Sequence, residues 1–171
     1  MLGTPIFAFI LLGIMLFAFA AIAFFFFVYD HRDVLYSFDD DPLMKSDSFE
    51  CEFSRIGGSE NEHTTIKFVC EKGKNKLFYS SRLTNGAPVD KKELDVPDEA
   101  AEKLKELYKK HCFPVLSDCE HMEEVLLDAP SELITYTVGE QSYMISSDQQ
   151  FPEKSRGIFN EAEMLMRAYL E

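Results

Sequence analysis

Two hydrophobic patterns divide this chain. Residues 6–29 are apolar apart from Tyr29 and include no charged side chain. Later segments instead alternate apolar and polar positions with the periods of strands and helices. Because a helix of about 20 apolar residues crosses the hydrocarbon core of a bilayer, the first pattern predicts a single transmembrane helix over residues 6–29, preceded by a short tail at residues 1–5.

A cleaved signal peptide is the alternative for this segment. Such peptides begin with basic residues and have an apolar stretch of about 7–15 residues, whereas the first basic residue here is Arg32. Ala21-Ile22-Ala23 is similar to a cleavage site, but cleavage there would leave Phe24–Phe27 exposed at the new terminus. We therefore expect the helix to remain in the protein as an anchor.

A polar, acidic segment, residues 30–47, follows the apolar run and contains Asp39, Asp40 and Asp41. A calcium loop of the EF-hand type needs alternating oxygen ligands, a central glycine and a distant glutamate, and this segment places none of them correctly. It is predicted to be a solvated juxtamembrane linker. The remaining residues, 48–171, are enough for one domain and too few for two.

Alternation with a period of two predicts three strands at the start of this domain. The apolar positions that share one face are Phe49, Cys51, Phe53, Ile66, Phe68, Cys70, Leu77 and Tyr79. Counting back from Gly57-Gly58 places Phe53 opposite Phe68. The same register places Cys51 opposite Cys70. The three strands are therefore predicted to form an antiparallel meander that leads into a loop.

Two amphipathic helices and a second hairpin complete the predicted domain. The first helix begins near Pro97, and its apolar stripe is Ala100, Ala101, Leu104, Leu107 and Tyr108. A tight turn at Gly139-Glu140 pairs Ile134 with Ile145, and the last helix runs over Pro152–Leu170. The expected fold class is α+β: a transmembrane helix followed by a β-β-β-α-β-β-α domain.

The two halves of the domain resemble each other. The first half contains a hairpin, then Ser80-Ser81, then Val96-Pro97 and a helix. The second half contains a hairpin, then Ser146-Ser147, then Phe151-Pro152 and a helix. Neither half can bury its apolar face alone, so we expect two related β-β-α units whose antiparallel hairpins pack against the two helices.

The segment Ile145–Pro152, followed by an amphipathic helix, resembles small uncharacterised α+β domains that are common in clostridial genomes. An opening strand with a Gly-Gly loop, here Phe53 to Gly58, is also usual in that group. The resemblance covers most of residues 48–171 and is carried by structural turns and strands. It implies a fold and transfers no activity.

The charge of the chain limits its partners. The net charge is −13, and every charged side chain lies after residue 29. That much negative charge repels phosphate backbones and anionic lipid headgroups. We therefore expect no nucleic acid as a partner, and contact with the bilayer only through the apolar helix.

The four cysteines, Cys51, Cys70, Cys112 and Cys119, all lie in the soluble part. An even number permits two disulfides, and the predicted register and a short proline-containing turn would bring them together as Cys51 with Cys70 and Cys112 with Cys119. The alternative is that all four are free thiols that fill core space.

The side of the membrane that holds the domain is left open. Disulfides would place it in an oxidising compartment. Arg32 and Lys45, which follow the helix, favour the cytoplasmic side instead, because Lys and Arg near a span are retained there. The expected location is the cell membrane, with a single span.

One cluster of chemically capable residues stands out: His111, Cys112, Cys119 and His121. Structural zinc sites use closely spaced pairs such as Cys-x2-Cys, and the two cysteines here are farther apart. Cys112 also follows the C-terminal end of a helix, where the dipole disfavours a thiolate. We predict no catalytic, cofactor-binding or metal-binding residue in the chain.

The predicted function is that of a membrane-anchored, non-catalytic domain that binds another protein or serves as an accessory subunit. The loops Arg55–His63 and Leu83–Asp90 are least constrained by packing and are the first places to look for a binding surface. The alternative is a thiol- or metal-dependent enzyme or redox sensor that uses Cys112, Cys119 and the histidines His111 and His121.

Overall fold

The computed structural model of this chain describes residues 4–30, 32, 36–57, 62–71, 73–83, 88–122 and 130–170. The chain divides into two compact units, Met1–Tyr36 and Ser37–Glu171. The helices are α1 (Thr4–Asp30), α2 (Pro42–Lys45), α3 (Asp98–His111), α4 (Phe113–Leu116), a short 3-10 helix (Glu153–Ser155) and α5 (Ile158–Arg167). The strands are β1 (Ser48–Ile56), β2 (Glu62–Glu71), β3 (Lys74–Leu83), β4 (Pro88–Val96), β5 (Ser131–Val138) and β6 (Gln141–Ser146).

Helix α1 forms most of the first unit, and its side chains are described over residues 12–28. From residue 12 to residue 27 every side chain is exposed, including Phe17 at 78%. No helix among the described residues is both long enough and apolar enough to span a membrane. The span predicted over residues 6–29 extends at both ends beyond the residues whose side chains are described.

A six-stranded antiparallel sheet in the order β4-β3-β2-β1-β5-β6 is the centre of the second unit. Helices α3, α4 and α5 pack on its inner face and share one hydrophobic core with it. The largest fully buried side chains are Tyr108, Tyr136, Phe53, Phe68 and Phe113. Alternate strand residues such as Glu52 and Lys67 point to the other side, which we call the open face. The predicted α+β class is confirmed.

The register of the second hairpin is as predicted, and that of the first is not. Ile134 lies opposite Ile145. In the first hairpin, Cys51 lies opposite Phe68, and Cys70 lies opposite Phe49. The predicted pairing of Cys51 with Cys70 was therefore wrong by two residues. A slip of two residues keeps every side chain on its own face, so the alternation pattern could not detect it.

Strand β4 is an element that the sequence pattern did not predict. It was expected to be loop, but it pairs antiparallel with β3 along the edge of the sheet. It is rich in charged side chains, from Asp90 to Asp95, which protect an exposed edge against pairing with other chains. Consecutive charged residues also obscure the alternation of apolar and polar positions by which a strand is recognised in a sequence. Apart from the short helices α2 and α4 and the 3-10 helix, the element order of the domain is therefore β-β-β-β-α-β-β-α.

Strand β4 makes the two halves of the domain differ in element order, although they were predicted to be two related β-β-α units. The β2–β3 and β5–β6 hairpins do lie on opposite sides of β1. However, β4 stands between β3 and its helix α3, whereas the 3-10 helix is the only described element between β6 and α5. The relation between the two halves stays a prediction.

The second unit begins at Ser37, well before residue 48, where the sequence places the start of the domain. The difference arises because residues 37–47, which we call the strap, pack on α3. Asp41 is 2% exposed and Leu43 is fully buried. One oxygen of Asp41 accepts hydrogen bonds from the backbone nitrogens of Leu43 (2.9 Å) and Met44 (3.3 Å), and the other accepts one from the hydroxyl of Tyr108 (2.9 Å). This part of the predicted linker is thus folded.

Candidate functional site

The two histidines of the predicted cluster face different carboxylates. Nε2 of buried His111, at the end of α3, lies 2.9 Å from Oε2 of Glu161 on α5. Nδ1 of exposed His121 lies 2.8 Å from Oδ2 of Asp148. No group of three or more His, Cys, Asp or Glu side chains in the described part of the chain could hold a metal ion. The fold therefore does not bring this cluster together as one site.

None of the four cysteines, all of which the structure describes, forms a disulfide. The register explains this for Cys51 and Cys70, which are diagonal neighbours on adjacent strands. Diagonal Cα atoms lie about 7–8 Å apart, beyond the usual span of a disulfide. Near Cys112 and Cys119, the thiol of Cys119 instead donates a hydrogen bond to the carbonyl of Val115, with a sulfur–oxygen distance of 3.7 Å.

The fold also makes three of the thiols, those of Cys51, Cys70 and Cys112, poor nucleophiles. Burial raises the pKa of the Cys51 thiol to about 12. Burial is likewise the largest cause of the raised pKa of Cys70 and of Cys112. A reactive cysteine needs the opposite shift, from a neighbouring cation or a helix N-terminus, because the thiolate is the attacking species.

A serine–histidine pair that sequence reasoning missed lies on the open face. Oγ of Ser54 is 3.0 Å from Nε2 of His63. Nδ1 of His63 is 3.0 Å from Nε and 2.7 Å from Nη2 of Arg82. A guanidinium can only donate hydrogen bonds, so Nδ1 is the acceptor and the ring proton is on Nε2, which donates to Ser54.

This orientation is opposite to that of a hydrolytic triad. In a triad the histidine nitrogen next to the serine is the unprotonated base, and the other nitrogen donates to a carboxylate. Here the nitrogen next to Ser54 already carries the proton, so His63 cannot activate the serine. Ser54 lies opposite Thr65 in the β1–β2 register, so His63 is its diagonal neighbour, and His63 lies opposite Arg82 in the β2–β3 register. A correct register would therefore have revealed the group.

A second polar group crosses the end of the sheet on its inner side. Nη2 of Arg55 lies 2.7 Å from Oε2 of Glu163 and also contacts Glu132. Nε of Arg167 lies 2.8 Å from Oε1 of Glu163. Both carboxylates are largely buried and occupied by guanidinium groups. The arrangement therefore ties β1, β5 and α5 together and leaves no free general acid or base.

The open face carries a groove of about 520 Å³ that crosses β1 to β4. Its lining includes two rows of register partners, namely Glu52, Lys67, Phe78 and Glu93, and Thr65, Ser80 and Lys91. Nζ of Lys67 also pairs with Glu50 at 2.7 Å. The groove combines an aromatic ring with charges of both signs and with hydroxyl groups. Such a surface suits a polar partner rather than a reaction.

No protein-family model and no curated protein matches this chain. The case for a function therefore rests on the residues themselves. The groove on the open face is the best candidate binding site among the described residues, because it is concave and joins the aromatic side chain of Phe78 to several hydrogen-bonding groups.

Proposed function

We propose that this chain is a single-pass membrane protein, in which α1 is the anchor and Ser37–Glu171 is a non-catalytic domain that binds another protein or serves as an accessory subunit. The observation that carries the proposal is the continuous exposure of apolar side chains from residue 12 to residue 27. Soluble proteins rarely leave so large an apolar surface uncovered. The uninterrupted apolar sequence of residues 6–29 adds to this support.

The absence of assembled chemistry in the described residues supports a binding role for the domain. The histidines of the predicted cluster pair with separate carboxylates. The thiols of Cys51, Cys70 and Cys112 have raised pKa values. No specific observation favours the thiol- or metal-dependent alternative. Relation to the small clostridial domains stays a prediction.

We place the partner on the open face, in the groove that contains Phe78. Both loops suggested by the sequence begin or end beside this face, although residues 58–61 and 84–87 lie outside the described residues. The described end of the first loop includes Ile56, which is 53% exposed and follows Glu52 and Ser54 on the open face. Aromatic side chains are enriched in protein interfaces, and Phe78 supplies one within the groove.

Alkaline carbonate extraction of membranes tests the anchor. The wild-type chain is expected to stay with the membrane pellet. The double variant Leu16→Arg/Phe19→Arg is expected to move to the supernatant, because each arginine at the centre of a span costs about 2.5–3.5 kcal/mol. Met144→Arg, which places the same charge on the folded domain, is the control and should behave as wild type. Release of the wild-type chain by carbonate would contradict the anchor.

Crosslinking in intact membranes, followed by capture of the tagged full chain, tests the binding surface. Phe78→Ala removes the ring of the groove and Lys91→Glu reverses one of its charges, so both should lose the crosslinked partner. Lys74→Glu makes the same charge change at an exposed position outside the groove and should keep it. Equal recovery with all three variants would rule out the groove and leave the anchor unaffected.

A further inference from the structure

The strap is a self-contained piece of structure. Among the described residues, its backbone–backbone hydrogen bonds are all internal: the nitrogens of Asp41, Lys45 and Ser46 donate to the carbonyls of Phe38, Asp41 and Leu43, each at 3.3 Å. No strand ladder joins it to the sheet. Within the described part of the chain, the strap can therefore leave the domain without breaking a backbone–backbone hydrogen bond elsewhere, although the thiol of Cys70 would lose the carbonyl of Asp47, 3.3 Å away.

Side chains hold the strap to the rest of the domain, chiefly to α3. Leu43 fills a fully buried core position, and Asp41 accepts the hydroxyl hydrogen bond of Tyr108 at 2.9 Å. The ring of Phe38 meets that of Tyr108 edge-on, with centroids 6.2 Å apart. Nζ of Lys105 donates to the carbonyl of Ser46 at 2.9 Å. Tyr108 thus receives both a polar and an aromatic contact from the strap.

We propose that the strap opens and closes as one unit at a free energy below that of global unfolding, and that the hydrogen bond between Asp41 and Tyr108 is its latch. Segments joined to a fold by a few side-chain contacts open in this way. The proposal depends on the second unit alone and holds whether or not α1 lies in a membrane.

Opening would change the surface of the domain. Tyr108 also contacts Phe113, Tyr136 and Tyr143, with ring centroids 5.1–5.7 Å apart. Departure of Phe38 would uncover one side of Tyr108 in this aromatic group. The open state therefore exposes aromatic surface that the closed state hides.

Hydrogen exchange of the full chain in detergent, followed by mass spectrometry at increasing urea, tests the proposal. The amides of Asp41, Leu43, Met44, Lys45 and Ser46 are hydrogen-bonded within the strap. They should exchange together, faster than those of β1 and β2, and with a shallower dependence on urea, because opening exposes less surface than unfolding. Exchange of strap and sheet at one rate with one slope would overturn the proposal.

Variants test the latch. Asp41→Ala should speed exchange of the strap by roughly tenfold or more, the effect expected from loss of hydrogen bonds to a carboxylate. Tyr108→Phe keeps the ring and removes only the hydroxyl, so it should speed exchange severalfold even if Asp41→Ala fails to fold. Asp40→Ala removes a neighbouring, exposed carboxylate and should change exchange less than about twofold. An equal effect of Tyr108→Phe and Asp40→Ala would overturn the latch.

Discussion

At the scale of single residues, burial decides the chemistry of the cysteines. Cys112 is adjacent to His111 in the sequence, but it lies in a buried left-handed position after α3, with φ of 50°. Cys51 is fully buried against Tyr136. Since the thiolate is the reactive form, each of these positions suppresses reactivity regardless of which residues are neighbours in sequence.

Titration with a thiol reagent near neutral pH, without reductant, checks this arrangement. Cys119, which is partly exposed, should react first in the folded protein, and Cys51 should stay unreactive until the domain unfolds. All four thiols should then react without any reductant. The variant Cys119→Ser is the control and should remove the fast phase alone. If some thiols reacted only after reduction, the absence of disulfides would be contradicted.

At the scale of elements, turn geometry explains which registers could be predicted. The β5–β6 hairpin has a two-residue turn with Gly139 at φ of 57°, and a turn of that length sets the pairing. The β1–β2 connection is longer, so pairings two residues apart fit the same pattern of buried positions. Strand β4 was missed because its charged edge resembles a loop. A hydrophobic pattern therefore predicts which face of a strand is buried better than it predicts which residues of two neighbouring strands pair.

The contact between α3 and α5 predicts a pH dependence. Lys110 and His111 on α3 hydrogen-bond to Glu161 on α5 at 2.6 and 2.9 Å. The hydrogen bond from Lys110 is the largest cause that holds the pKa of Glu161 below its ordinary value of 4.5, burial opposes it, and His111 adds to the lowering. A lowered pKa means that the folded state favours the carboxylate, so this stabilisation is present above pH 4.5 and is lost as the pH falls through the folded value.

Urea unfolding of wild type and Glu161→Gln at two pH values measures this effect. The variant should be less stable than wild type at about pH 7, and the difference should shrink as the pH falls below the ordinary glutamate pKa. Glu120→Gln, at an exposed position, serves as the control and should show no such change. A difference that stays constant with pH would exclude Glu161 as the source.

At the scale of the whole molecule, the sequence predicted the fold class and the apolar helix but not the groove. The strands other than β4, and the helices α1, α3 and α5, could be placed from periodicity and turn residues. The groove takes residues from the four strands β1 to β4, so predicting it requires knowing how each of these strands pairs with the next. The predicted β1–β2 register was wrong, and strand β4 was not predicted. A binding surface assembled across strands leaves no local motif in the chain.

The strap has a practical consequence for anyone who cuts the domain from its helix. A fragment that begins at residue 48, where composition alone would place the boundary, lacks Leu43 and leaves the hydroxyl of Tyr108 without its acceptor. Loss of a buried leucine side chain costs about 2–5 kcal/mol, a large share of the roughly 5–15 kcal/mol that stabilises a typical domain. The shortest fragment that keeps its interior intact therefore starts at Ser37.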